Sequence, residues 1–268
     1  MFSVLSSVYK KEKSKNLRES LNSILTQTLL PTEIILVEDG PLDEMLYEVI
    51  EEFKKKCSYL KVVLLDTNQG LGNALNEGLK HCRYDIVARM DTDDIAKPLR
   101  FEKQLAIFEK IPNLDVVSSW IDEFEGDISQ IKSVRQLPEW DAQIRQYAKK
   151  RCPVNHPAVM FRRSAVIAAG GYQHFPLFED YYLWVRMLMN GAKFHNIQES
   201  LLFFRFSPEM FKRRGGWKYA IDELRFQQMM RQVHFISNSE FVRNVFVRFL
   251  IRIIPNSWRG MIYKRILR

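Results

Sequence analysis

The chain has 268 residues, 46% of them hydrophobic and 12% aromatic, enough for a globular protein with the core of one large or two small domains. Lys and Arg outnumber Asp and Glu 40 to 32, and the excess of +8 favours anionic partners (nucleotide phosphates, nucleic acid or an acidic membrane face) without choosing among them. The scattered Cys57, Cys82 and Cys152 argue against a disulfide framework or a cysteine-built zinc site and fit a reducing, cytosolic compartment.

Met1 to Leu5 runs straight into a strand pattern with no charged leader, and no stretch approaches about 18 uninterrupted apolar residues, so neither a signal peptide nor a spanning helix is expected. Any membrane contact is then peripheral. Phe2 to Tyr9 reads as a buried strand, and Leu17, Leu21, Ile24 and Leu25 recur at helical spacing. Glu33 to Val37 is a second strand, stopped at Glu38-Asp39-Gly40-Pro41, where acidic residues meet two structure breakers. A helix from Leu42 to Lys56 leads to a strand over Lys61 to Leu65. Gly70 to Leu79 opens another helix, and Asp85 to Met90 is the fourth strand. Strands alternating with helices predict an α/β fold on a mainly parallel central sheet with right-handed crossovers.

In such sheets ligands sit at the carboxyl ends of the strands. Here those ends are Tyr9, Glu38-Asp39, Asp66-Thr67-Asn68 and Asp91 to Asp94, so three of the four are acidic. Clustered carboxylates need a cation or a ring of hydrogen-bond donors to offset their repulsion. Asp91-Thr92-Asp93-Asp94 is the densest cluster, with three carboxylates in four residues. Further on, the pattern predicts a helix over Leu99 to Glu109 and a strand over Asp115 to Ile121. Asp122 to Pro138 is expected to be a loop with a short strand pair, followed by a helix over Trp140 to Lys150. A Pro-bounded turn at Cys152 to Pro157 precedes a strand over Ala158 to Phe161. Glu179-Asp180 opens a helix after the Gly170-Gly171 break, with Trp184 and Met187 on its core face. Leu201 to Phe206 is the last apolar strand, and Trp217 to Val233 the next helix.

These motifs in this order over residues 2–210 resemble the family 2 glycosyltransferases: the first strand's Val8-Tyr9, the helix Leu17 to Thr28, Val37-Glu38-Asp39-Gly40, Asn68 to Asn76, the Asp-x-Asp of Asp91 and Asp93, and Glu179-Asp180. Ala88 to Asp94 together with Arg100 to Gln104 is similar to the bacterial members that build O-antigen, capsule or exopolysaccharide repeats. The resemblance implies a GT-A nucleotide-diphospho-sugar transferase fold, with a nucleotide-sugar half over residues 1–110, an acceptor half over 111–215, and C-terminal helices over 216–268. It implies that Tyr9 lies against uracil, that Asp39 accepts from the uracil imide with Asn68 in the same wall, and that Asp91 sits near ribose and metal. Asp93 is the direct ligand of Mn²⁺ or Mg²⁺. Asp180 matches the family's general base, with Glu179 orienting the acceptor, in a single displacement that inverts the anomeric centre of a UDP-sugar. Arg213 and Arg214, beside Gly215-Gly216, are expected to close over the diphosphate. Arg89 is expected to pair with Asp39 or Asp91, and His156 is a candidate contact for the acceptor. Asp94 reads equally as a cap for the next helix and stays outside the catalytic set.

Phe241 to Arg268 contains no Asp or Glu. Arg248, Arg252 and Arg259 share one helical face, interleaved with apolar residues such as Phe246, Phe249 and Trp258. That composition fits a segment on an anionic membrane, which suits a polyprenyl-diphosphate-linked saccharide acceptor and a place on the inner face of the plasma membrane. Two other readings compete. A nucleotidyltransferase would carry a glycine-rich first loop, which Tyr9-Lys10-Lys11-Glu12 lacks. A nucleic-acid-binding module would not set acidic strand ends against a phosphate backbone, so no nucleic-acid partner is expected.

Overall fold

Four strands and three helices alternate through the first third of the chain: β1 (Ser3–Val8), α1 (Ser14–Leu25), β2 (Glu33–Glu38), α2 (Glu44–Lys56), β3 (Leu60–Leu64), α3 (Leu71–His81) and β4 (Ile86–Arg89). The structure, a computed structural model, describes residues 1–206 and 216–253, the side chains of 249–253 excepted. β1 pairs in parallel with β2 and β4, and β2 with β3. Every residue of β2 is buried, because strands flank it on both edges and helices cover both faces. The two-residue alternation divides these strands between two cores. Val4, Ile34 and Leu36 face one cluster with α1 and α2, whereas Leu5, Ile35 and Val37 face another with α3. Glu33 is buried at this edge but accepts from Ser3 Oγ (2.7 Å), the Arg83 amide (2.6 Å) and Lys61 Nζ (3.0 Å).

The second part is mixed. It contains β5 (Ile95–Ala96), α4 (Arg100–Lys110), β6 (Val116–Phe124), β7 (Ile131–Arg135), α5 (Asp141–Ala148), β8 (Met160–Arg162), α6 (Arg163–Ala168), α7 (Glu179–Met189) and β9 (Phe194–Arg205). The sheet runs β3-β2-β1-β4-β8-β6-β9-β5, with β7 on β6. β8 is antiparallel to both β4 and β6 and joins the two halves, while β6 and β9 run parallel. The segment expected as a loop with a short strand pair is the end of β6 and β7, paired antiparallel. The strand expected to begin at Ala158 begins at Met160, because Pro157 sits in a 3-10 turn over His156–Ala158. The strand expected over Leu201 to Phe206 is the second half of the twelve-residue β9. Its first half carries His195, Asn196, Gln198, Glu199 and Ser200, which hide the alternation.

α8 (Gly216–Gln232) and α9 (Asn238–Ile253) close the described chain. Phe226 and Met230 of α8 pack on Phe178, Tyr181 and Val185. Among the described residues, no helix is long and apolar enough to cross a membrane.

Candidate active site

The carboxyl ends of β1, β2 and β4 open onto a cleft of about 1030 Å³ whose far wall is the start of α7 together with α8 and α9. Tyr9, Asp39, Asn68, Asp91, Asp93, His156, Glu179 and Asp180 all line it. At the β2 end the chain turns through Gly40 at φ +83°, where a Cβ would lie 2.6 Å from the Asn68 amide nitrogen. Only glycine fits both the angle and the space. That turn aims Asp39 at the β3–α3 loop. Its carboxylate accepts from the Gln69 amide (2.7 Å), the Gly70 amide (3.0 Å) and Asn68 Nδ2 (3.0 Å). The side chain of Asn68 is thus a latch on Asp39, and Asp39 is held rigid at the cleft edge by three donors.

β4 delivers the acidic cluster. Asp91, Asp93 and Asp94 bring one carboxylate oxygen each within 4.8 Å of one another. Asp91 is pinned by Ser20 Oγ on its carbonyl (2.8 Å) and by a charge-assisted bond from Arg89. Burial, reinforced by the charges of Asp91 and Glu12, pushes Asp93 from 3.8 up to about 7. Asp94 is fully buried; burial, then Asp93 and Asp91, raises it well above the ordinary carboxylate range. Its Oδ1 accepts from the Arg205 amide (2.8 Å), while Oδ2 has no partner among the described residues. Asp94 caps no helix: α4 starts at Arg100 with Leu99 before it. Asp94 belongs to the carboxylate cluster, anchored to β9 by Arg205, which also donates to the carbonyl of Asp93 (2.8 Å) and to Glu19 (2.5 Å). The donor set is all oxygen and carries surplus negative charge with an orphaned buried oxygen, which suits Mg²⁺ or Mn²⁺.

Of the two partners expected for Arg89, it takes Asp91. The residue is 1% exposed and lies beneath the cleft floor, with Nε and Nη1 unpaired among the described residues. Burial works against its charge, and Asp91 more than offsets that. Next to it, His156 meets the Tyr172 hydroxyl at 2.9 Å; burial and the Arg89 charge drive its pKa well below 6.5 and keep the ring neutral.

On the far side, Glu179 and Asp180 occupy the first turn of α7, where the helix dipole favours negative charge. Leu177, two residues earlier, has φ +66°, a strained value for a bulky residue, in the turn that presents the pair. Glu179 is raised by burial and by Asp180, and lies 3.8 Å from His174. Cys152 Sγ is 3.7 Å from Asp180 Oδ2. The same wall is fixed to α3: the Asn76 side chain accepts from the Tyr172 amide (2.8 Å) and donates to its carbonyl (2.7 Å). Glu12, Arg205 and the Cys152 contact escaped sequence reading, with no local signal to find them, while Asp94, adjacent to the Asp-x-Asp, reads in sequence equally as helix cap and as metal contact. Arg213 and Arg214 lie outside the described residues.

The family described as "Glycosyl transferase family 2" matches residues 3–170. A "UDP-Gal:alpha-D-GlcNAc-diphosphoundecaprenol beta-1,3-galactosyltransferase" of Escherichia coli is 40% identical over 267 residues, covering 100% of this chain and 96% of its own. The "Amylovoran biosynthesis glycosyltransferase AmsE" of Erwinia amylovora is 38% identical, with 99% and 98% covered. Among solved structures, S. aureus TarS 1-349 in complex with UDP-GlcNAc superposes with a TM-score of 0.67 at 16% identity, over 99% of this chain and 76% of that one. Mannosyltransferase PcManGT from Pyrobaculum calidifontis, in complex with GDP-Man and Mn2+, reaches 0.64 at 15%, over 96% and 71%.

Proposed function

The chain belongs to glycosyl transferase family 2 and has the GT-A fold, and we propose that it transfers a hexose or N-acetylhexosamine from a UDP-sugar, with inversion, to a hydroxyl of a polyprenyl-diphosphate-linked saccharide in bacterial surface polysaccharide synthesis. The observation that carries this reading is the opposition, across one cleft, of the Asp91-Asp93-Asp94 cluster and Asp180. The names of the Escherichia coli and Erwinia amylovora relatives support the donor and the polysaccharide setting.

In this reading Tyr9 and the latched Asp39 hold the uracil, and Asp91, Asp93 and Asp94 hold Mn²⁺ or Mg²⁺. Bound there, the ion supplies Lewis-acid neutralisation of the leaving diphosphate. Asp180 takes the proton of the attacking hydroxyl, which is a poor nucleophile until deprotonated. Glu179, raised and partly buried, orients that hydroxyl. Arg89 keeps Asp91 in place from below. An α-linked donor then gives a β-linkage.

A peripheral place on the inner membrane face is supported by exposed Trp217, Ile221 and Leu224 along one side of α8 and by Val242 and Phe246 on α9. One part of the tail reading changes: Arg248 does not face outward but bonds Glu223 and the Lys150 carbonyl. Arg252 and Arg259 lie outside what is described of the side chains.

The test is Asp180→Asn in a coupled assay of UDP release and product formation. Donor KM is expected to hold, while kcat falls roughly 10²-fold or more. Near-normal transfer by this variant removes Asp180 as the base.

A further inference from the structure

The cleft is lined by cations as well as carboxylates: Arg135, Lys150, Arg151, Arg243 and Arg248, with Glu123 and Glu223 in the same lining. The cations come from three separate parts of the chain, and a short run of bonds gathers them. Asn244, next to Arg243, donates to the Lys149 carbonyl (2.8 Å), Lys149 pairs with Glu240 (3.1 Å), and Arg248 donates to the Lys150 carbonyl. α9 is thereby clamped onto the segment that follows α5. From the other side Arg135 Nη2 approaches the Cys152 carbonyl at 3.5 Å, and the Cys152 thiol lies 3.7 Å from Asp180. Cys152 thus stands between the guanidinium of Arg135 and the carboxylate of the candidate base.

Only part of that charge is spent within the protein. Arg248 is matched by Glu223. Among the described residues Arg135, Lys150 and Arg243 take part in no ion pair; Arg243 has only a 3.4 Å contact to Asn244, and Lys150 and Arg243 are solvent-exposed at the cleft wall. Cations left unneutralised along a cleft that already carries a carboxylate site at its other end call for an anionic ligand of their own.

We infer that Arg135, Lys150 and Arg243 form a subsite for the diphosphate of the acceptor, distinct from the donor diphosphate at the Asp91-Asp93-Asp94 end. The inference rests on the proposed lipid-diphosphate acceptor and deepens it, assigning that diphosphate its residues. Two diphosphates then enter from opposite ends, one neutralised by a cation held on carboxylates, the other by protein cations. The acceptor sugar lies between them with a hydroxyl at Asp180.

The experiment compares two acceptors, a short-chain alkyl N-acetylglucosaminyl diphosphate and the neutral alkyl N-acetylglucosaminide, with the UDP-hexose that supports UDP release. The wild type is expected to favour the diphosphate in kcat/KM. In Lys150→Met/Arg243→Met that preference shrinks by roughly 10²-fold, about tenfold per lost charged hydrogen bond, with donor KM unmoved. An equal loss on both acceptors, or an unchanged preference, overturns the subsite. Both side chains are exposed, and an unaltered melting temperature confirms an intact fold. If no sugar is transferred to either acceptor, the proposed reaction itself fails. Calorimetric titration of the alkyl N-acetylglucosaminyl diphosphate then decides the subsite alone: weaker binding to the double variant keeps it, and equal or absent binding ends it.

Discussion

The two ends of the cleft handle charge in opposite ways. At the donor end Asp91, Asp93 and Asp94 crowd together with Glu12 nearby. One arginine from below and the backbone of another from the side relieve them only in part, so burial and repulsion raise Asp93 and Asp94. At the acceptor end the opposite charges meet: Glu223 with Arg248, Glu240 with Lys149, and further cations line the cleft. On the proposed reading, the difference separates the end that would take a cation from the end that would take an anion. It also makes the donor end costly to the unliganded protein, and substitutions there should separate stability from activity.

Asp93→Asn sharpens this contrast most. A folded-state pKa raised from 3.8 to about 7 means that the folded chain holds a proton the unfolded chain has lost, so this carboxyl costs stability as pH rises from about 4 through 7. At pH 8 the amide removes the buried charge. The metal-free variant should melt higher, on the order of 2–4 °C for each kcal/mol regained. Its stabilisation by Mn²⁺ should vanish and its transfer rate should fall roughly 10³-fold, the several kcal/mol of a lost Lewis acid. Thermal melts with and without Mn²⁺ check the first part, and a variant that melts lower without metal sinks the account.

The donor end was also the legible one. Each of its residues terminates a strand that announces itself by an apolar run, and the site residues lie within a few positions of the breakers that stop those runs. Asp94 stays open in sequence between helix cap and cluster member because its partner, the Arg205 amide, lies 111 residues away and leaves no local trace. The acceptor end is assembled almost wholly from such distant pairings: Arg135 with Cys152, Asn244 with Lys149, Arg248 with Glu223. Of its basic residues, Arg248 reads in sequence as one stripe of a membrane-facing helix, and Arg135, Lys150 and Arg151 belong to no motif. β9 was half hidden for the same reason, since polar Asn196 and Gln198 find their partners in the loop around Leu137 and Pro138.

Rigidity of the donor wall gives a second, smaller test. α3 approaches β1 and β2 so closely at Gly78 that a Cβ would lie 2.3 Å from Leu5 Cδ1 and 2.8 Å from Val37 Cγ2, both on fully buried residues. Alanine in a helix is favoured over glycine by about 1 kcal/mol, while overpacking a filled core costs about 1–3 kcal/mol. Gly78→Ala is therefore expected to be destabilised by up to about 2 kcal/mol net in urea titrations. A stabilised variant would mean that the sheet and α3 have more slack than the donor wall needs.

The smallest effect is expected at the seam between the two ends, where Arg89 reaches Asp91 on one side and nears His156, bonded to Tyr172, on the other. A histidine whose folded pKa lies below 6.5 contributes stability that is complete above that value and lost as pH falls through it, because only the unfolded chain takes up the proton. Asp93 and Asp94 work in the reverse sense over an overlapping window, so the wild-type profile alone cannot isolate the ring. The difference between wild type and His156→Gln can. It should be nearly flat above pH 7 and shrink toward pH 5 with a slope of at most about 1.4 kcal/mol per pH unit. A difference independent of pH would place the imidazole in a site that tolerates its charge, and would detach the Arg89 network from the acceptor wall.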